Sequence, residues 1–215
     1  MKMTCAAFLC LGLISIGHCN SNSIRGSGVA KTEIRPVGSF SKIDLAGSAE
    51  VEVSVGPATS VSVTTDDNIL PIIETAVAGD TLKIGSQKSV DTRLGVKVKI
   101  TVPALDGVAI SGSGNIHAQG LKSGTVEAGV IGSGNITLNG MADLLTAQIG
   151  GSGDLRAGDL SAKRVHVIVA GSGSATVQAS QELDASVTGS GNVNYTGNPP
   201  QVRRSVTGSG NIRAR

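Results

Sequence analysis

Gly112-Ser113-Gly114-Asn115-Ile116 returns along the chain as Gly132-Ser133-Gly134-Asn135-Ile136, Gly151-Ser152-Gly153-Asp154-Leu155, Gly171-Ser172-Gly173-Ser174-Ala175, Gly189-Ser190-Gly191-Asn192-Val193 and Gly208-Ser209-Gly210-Asn211-Ile212. Counted from the first glycine, the steps are 20, 19, 20, 18 and 19 residues. Near-constant spacing of this kind marks a repeat architecture. Each Gly-Ser-Gly is preceded by an alternating run, such as Val126-Glu127-Ala128-Gly129-Val130 or Val165-His166-Val167-Ile168-Val169, and followed by another, such as Ile136-Thr137-Leu138 or Ala175-Thr176-Val177. Period-two alternation on both sides of a turn reads as strand, corner, strand. A unit of about 19 residues is too short for the helix-bearing repeats and suits one coil of a β-helix. The expected fold is all-β, a right-handed parallel β-helix (β-solenoid) with 18 to 20 residues per coil in the C-terminal half.

The corner composition follows from stacking coils about 4.8 Å apart. Positive φ and close backbone approach are cheap only for glycine, which accounts for both flanking positions of each corner. The central serines and the Asn or Asp after them are expected to form ladders down one edge, bonding coil to coil as amides do in stacked β structure. A bulky residue at Gly151 or Gly171 is therefore expected to disrupt stacking locally.

Residues 33 to 104 lack the repeat but keep the alternation, in Val51-Glu52-Val53-Ser54-Val55, Val61-Ser62-Val63, Leu82-Lys83-Ile84 and Val96-Lys97-Val98-Lys99-Ile100-Thr101-Val102. Turns at Gly56-Pro57 and Gly79-Asp80 separate them. These read as irregular coils leading into the regular ones of residues 105 to 215. Ala46-Gly47-Ser48-Ala49 has the look of a degenerate corner, and residues 68 to 75 have room for one helical turn at most.

The chain has 215 residues, 40% hydrophobic but only 1% aromatic, so the core must be aliphatic. One extended domain is expected, its apolar core closed by stacking. A formal charge of +2 with 16% charged residues provides neither a broad basic face for nucleic acid nor an acidic tail. Single-stranded nucleic acid would also want several aromatic platforms, and past the N-terminal segment there are only Phe40 and Tyr195.

Residues 1 to 19 read as a secretory signal peptide: Lys2, the apolar run from Cys5 to Ile14, then the small residues Ser15 and Gly17. The run is too short to span a bilayer as a helix, and no later segment is long enough. Cleavage after Gly17 and cleavage after Cys19 both fit. A third alternative is a lipid anchor on Cys19, since Ile16-Gly17-His18-Cys19 looks like a lipobox, although His18 stands where a small residue is normally required. Cys5, Cys10 and Cys19 are the only cysteines, so a mature chain starting after Cys19 has no disulfide framework. Residues 20 to 32 are small and polar and are expected to be a flexible lead-in with little order.

Over most of residues 33 to 215 the sequence resembles the DUF2807 family of auto-transporter adhesin head GIN domains. The resemblance rests on Phe40-Ser41-Lys42-Ile43, Asp66-Asp67-Asn68-Ile69-Leu70, Val102-Pro103-Ala104-Leu105, the serial Gly-Ser-Gly-Asn/Asp corners and Asn194-Tyr195-Thr196-Gly197-Asn198-Pro199. It implies a right-handed β-helix in a bacterial envelope setting, while the adhesin label is itself inferred from shape. With the chain ending at Arg215, directly after the last corner, no membrane β-barrel translocator is expected in it.

Sites of chemistry are weighed against this frame. Gly-Ser-Gly-Asn is not expected to cradle phosphate, because a strand rather than a helix follows each copy. Gly150-Gly151-Ser152-Gly153-Asp154 is similar to a calcium β-roll, but that motif recurs every nine residues. His117 and His166 sit on alternating strands with no cysteine nearby and read as exposed strand positions. Asp143, Asp154, Asp159 and Asp184 would be the acids of a polysaccharide-active enzyme, yet they fall one per coil at unmatched positions. The sequons at Asn135 and Asn194 fall inside repeats. No catalytic, cofactor or metal site is expected. The expected role is a structural or interaction module of the cell envelope, in the periplasm, on the outer surface or secreted, presenting a long, flat, polar ladder to a protein or glycan. A periplasmic binding or sensing module is the alternative that residues alone do not separate from it.

Overall fold

The computed structural model describes residues 23–215; the segment read as a signal peptide, with the three cysteines and the alternative anchor at Cys19, lies outside the described residues. Strands make up 72% of the structure, and about 5 turns of β-solenoid form its C-terminal half. In chain order they are β1 (Ile24–Arg25), β2 (Ala30–Ile34), β3 (Lys42–Gly47), β4 (Glu50–Val55), β5 (Ser60–Asp66), β6 (Ile73–Ala78), β7 (Thr81–Ser86), β8 (Val90–Asp91), β9 (Lys97–Val102) and β10 (Gly107–Gly112). Then come β11 (Asn115–Gly132), β12 (Asn135–Gly151), β13 (Asp154–Gly171), β14 (Ser174–Gly189), β15 (Asn192–Thr196), β16 (Gln201–Gly208) and β17 (Asn211–Ala214). A single 3-10 turn, Leu70–Ile72, is the helical turn for which residues 68 to 75 left room.

Each coil is paired to the next in parallel with matched register, so equivalent residues stack in columns. One column runs Leu45, Ile110, Val130, Ile149, Val169, Val187, and a second, past the corner, runs Val51, Ile116, Ile136, Leu155, Ala175, Val193. All of these side chains are buried. Alternation in the sequence thus becomes an aliphatic interior, each fully buried Val, Leu or Ile being worth about 1.5–3 kcal/mol relative to exposure. Aromatic filling is confined to Phe40 and to Tyr195, which stands over Val177.

The N-terminal half departs from simple coiling. The degenerate corner at Gly47 does stack under Gly112, with φ of +119°. Beneath it, however, the sheet ends in antiparallel pairs: β7 with β6 on one face, β9 with β5 and β5 with β2 on the other. Residues 24 to 32, read as part of a lead-in with little order, are tied into the fold. β1 pairs with β8 and β2 with β5. The anchor is Asp66, a fully buried carboxylate that accepts N–H bonds from Gly28 at 2.6 Å, Arg93 at 3.0 Å and Leu94 at 3.3 Å. Composition suggested flexibility there; a buried acid that needs donors imposes order instead.

Burial pushes the Asp66 carboxyl up, but the N–H donors of Gly28, Leu94 and Arg93 outweigh it and hold the group below its ordinary value of 3.8. A carboxyl depressed on folding contributes stability that is complete above its unfolded value and lost as pH falls through its folded value. The stability gap between the native protein and Asp66→Asn should therefore be constant above about pH 5 and shrink below pH 3.8, as read by urea unfolding midpoints across pH. A second expectation concerns the corners. A Cβ at Gly151, whose φ is +119°, would strike the carbonyl of Gly132, whereas a Cβ at Gly124 meets nothing within 4 Å. Gly151→Ala should cost about 2–5 kcal/mol through backbone strain and overpacking, and Gly124→Ala should be neutral or stabilise by up to about 1 kcal/mol. Equal midpoint shifts in the two variants would contradict this.

Candidate interaction faces

The six corners place Gly112, Gly132, Gly151, Gly171, Gly189 and Gly208 in one column, all with φ between +118° and +134°. Ser113, Ser133, Ser152, Ser172, Ser190 and Ser209 follow, and Gly114, Gly134, Gly153, Gly173, Gly191 and Gly210 close each corner. The carbonyl of the first glycine accepts two bonds from the coil above: Gly112 O takes the N–H of Ser133 at 2.9 Å and of Gly134 at 3.0 Å. The same pair repeats from coil to coil. A Cβ at Gly134 would stand 2.6 Å from the Gly114 oxygen and 2.7 Å from the Ile110 methyl, so backbone fills the space a side chain would need. The serine ladder expected from the sequence is thus a backbone ladder. Among the described residues no hydrogen bond is made by a corner serine hydroxyl.

Beyond the corner, outward positions form the polar column Glu50, Asn115, Asn135, Asp154, Ser174, Asn192, Asn211. Here side chains do link coils: the Asn135 amide donates to Asn115 Oδ1 at 2.9 Å, and Asp154 Oδ1 accepts the Ser174 N–H at 3.2 Å. Two places along, Lys99, Glu52, His117, Thr137, Arg156, Thr176, Asn194 and Arg213 make a second polar column. Ion pairs Lys97–Glu50 at 3.9 Å and Lys99–Glu52 at 3.6 Å begin this face.

The face before the corner differs in character. Its outward columns carry small residues at Gly107, Ala109, Gly129, Gly150 and Ala170, and beside them Ile131 is 69% exposed. Lys42 and Glu127 flank Gly107 in one column, and their charges meet at 3.3 Å across it. Glu127, hydrogen-bonded to Lys42, raises the lysine above its ordinary 10.5. The result is a shallow trough of about 440 Å³, bounded by Lys42, Asp44, Glu127 and Gln148. Sequence reading missed this trough. Its signal was there in Gly107, Ala109 and Gly129, small residues at outward positions where polar ones normally stand.

The candidate acids lie on different parts of the surface: Asp143 is ion-paired with Lys163 at 2.7 Å and Asp154 with Arg156 at 3.4 Å, and Asp184 lies 3.7 Å from the His166 imidazole. Asp159 stands beside Asn139. His166 and His117 both occupy half-exposed outward positions. Among the described residues, no three His, Cys, Asp or Glu side chains are grouped to hold a metal ion, and no helix is long and apolar enough to cross a membrane.

The chain belongs to the DUF2807 family, "Putative auto-transporter adhesin, head GIN domain", whose model matches residues 39–199. Among solved structures it is similar to a putative adhesin from Bacteroides fragilis, at 27% identity and a TM-score of 0.75 over 90% of this chain and 100% of that one. It is also similar to a putative lipid binding protein from Parabacteroides distasonis, at 27% identity and a TM-score of 0.59 over 90% of this chain and 99% of that one. A putative adhesin from the same species, 23% identical with a TM-score of 0.58 over 90% and 100% of the two chains, shares the fold. No curated protein matches significantly.

The Asn135–Asn115 bond supplies a test of the polar column. Asn135→Ala should cost about 0.5–1.5 kcal/mol. Asn135→Asp puts a carboxylate between Asn115 Oδ1 and Asp154 and should cost more at pH 7 than at pH 3, where the added carboxyl is protonated. Urea midpoints at the two pH values check this, and a pH-independent penalty would contradict the bonding described.

Proposed function

We propose that this protein is an exported, non-catalytic module of the cell envelope that works by adhesin-like binding. The observation that carries the reading is the register-matched stacking of outward columns. From Thr81 to Arg203 one such column crosses eight strands, roughly 34 Å at about 4.8 Å per strand. Such a surface is broad, rigid and shallow, which suits contact with an extended protein or glycan better than enclosure of a small substrate. Membership of a family described as adhesin heads agrees with it, and so does the signal-like segment of residues 1 to 19.

The face carrying the trough is the better contact surface of the two. On the other face the Asn135 amide already bonds Asn115, and Asp154 the Ser174 N–H, from coil to coil. Here an exposed isoleucine lies beside small residues that let a partner approach the backbone closely, with the Lys42–Glu127 pair at one end for orientation. The polysaccharide-active reading is disfavoured, because general acid–base work needs two carboxyl groups facing one bond, and the candidate acids stand on separate parts of the surface. Surface, periplasmic and secreted locations remain separate outcomes of one experiment.

That experiment is labelling of Ile131→Cys with a membrane-impermeant maleimide on intact cells. No native cysteine follows Cys19, so labelling beyond that of the unsubstituted protein, in which Cys19 stays if cleavage falls after Gly17, reports one position on the trough face. Labelling of intact cells is expected. Labelling only after the outer membrane is broken would sink the surface reading and leave a periplasmic binding or sensing module. Thiol found only in the medium would make the protein a secreted one.

A further inference from the structure

In every Gly-Ser-Gly corner two N–H groups converge on one carbonyl oxygen of the coil below, at 2.8–3.1 Å. The first corner, Gly47-Ser48-Ala49, has the same backbone turn, and its own carbonyl accepts the N–H bonds of Ser113 and Gly114. By this repeat geometry the N–H groups of Ser48 and Ala49 point the opposite way, toward the N-terminal end. No corner lies beneath them. Ile84 stacks under Leu45, and the chain returns only where Lys97 stacks under Glu50. Residues 87 to 95 make a detour, with β8 at its far side pairing to β1, where every other corner has a single serine. Among the described residues, no acceptor bonds the N–H of Ser48 or Ala49.

The detour opens a cavity of about 270 Å³ lined by Ser48 and Ala49. Its walls include Ile73, Ile84, Val90 and Val96, and Lys88 is also in its lining. We infer that this cavity binds a small monocarboxylate with an aliphatic tail. Two convergent N–H donors suit one sp² oxygen, as the glycine carbonyls show in the coils above. Ala49 is buried, so its donor is shielded from bulk water and gains most from an acceptor. Lys88 favours an acceptor that carries negative charge, and N–H bonds to a carboxylate are stronger than those to a neutral carbonyl. The apolar walls receive hydrocarbon. At a water's share of about 30 Å³, the space holds on the order of ten heavy atoms, a carboxylate with six to eight carbons.

The test is titration of octanoate into the ¹⁵N-labelled protein, with octan-1-ol as the tail-matched neutral probe. Octanoate should produce saturable downfield shifts of the Ser48 and Ala49 amides, with much smaller changes at Ser113 and Gly114, whose N–H groups are already bonded. Lys88→Glu, on an exposed residue, should raise the octanoate Kd by roughly three- to tenfold. Absence of saturable shifts at Ser48 and Ala49 would overturn the inference. Equal shifts with octan-1-ol would also overturn it, by showing an apolar pocket indifferent to the carboxylate.

Discussion

Everything in the regular half of this molecule depends on one shared hydrogen-bond acceptor. The carbonyl of each first corner glycine takes two N–H groups of the next coil, and it can do so only because no Cβ intervenes on either side. A strand that turned without this bond would leave two donors and an acceptor unpaired at a corner where the chain is closely packed, each costing about 1–3 kcal/mol. The glycines are thus a condition of closure, and closure fixes the register of every strand on both sides. A slip by one residue would move each aliphatic column to the outside.

Matched register has a consequence for the surface. Residues that face outward stack on their own equivalents, so a face inherits the character of a single sequence position repeated. After the corner that position is Asn, Asp or Ser, short side chains that keep the face polar and, at Asn115, Asn135 and Asp154, bond along the column. Before the corner the outward positions repeat no single polar residue. They carry Gly, Ala, Ile, Lys and Glu in an order that does not repeat, which is what allows one stretch of a repetitive molecule to differ from the rest. Specificity can reside only where the repeat is free to vary.

Legibility in the sequence follows the same division. The corners, the strands beside them, the degenerate corner at Gly47 and the short turn near Leu70 were readable because each is a local pattern or a copy of one. The antiparallel strands beneath Gly47 and the ordering of residues 24 to 32 were not. They rest on pairings between distant segments and on the buried carboxylate of Asp66, whose partners Gly28, Arg93 and Leu94 share no motif with it. The trough was hidden for a similar reason. That Gly107 lies between Lys42 and Glu127 is a fact of stacking across an irregular stretch, and no spacing rule covers it.

The two ends of the solenoid handle exposed strand edges in different ways, and the difference has a physical cause. At the N-terminal end the columns are covered by antiparallel strands and by the buried Ile69, Leu70 and Ile73. At the other end β16 and β17 pair on one side only among the described residues. Their exposed Val202 and Val206 would invite a second strand. Yet the interior column Ile43, Val108, Ala128, Ala147, Val167, Ala185 ends in Arg204. Its guanidinium lies 5.1 Å from the centre of the Tyr195 ring and bonds the tyrosine hydroxyl. A cation at an interior position is costly to bury further, so a strand laid over it would have to strip its water without offering a partner. The charge makes a further coil over this position unfavourable, while the tyrosine gives the guanidinium a ring face and a hydroxyl. The one aromatic residue in the regular coils therefore stands where the aliphatic core has to meet a charge.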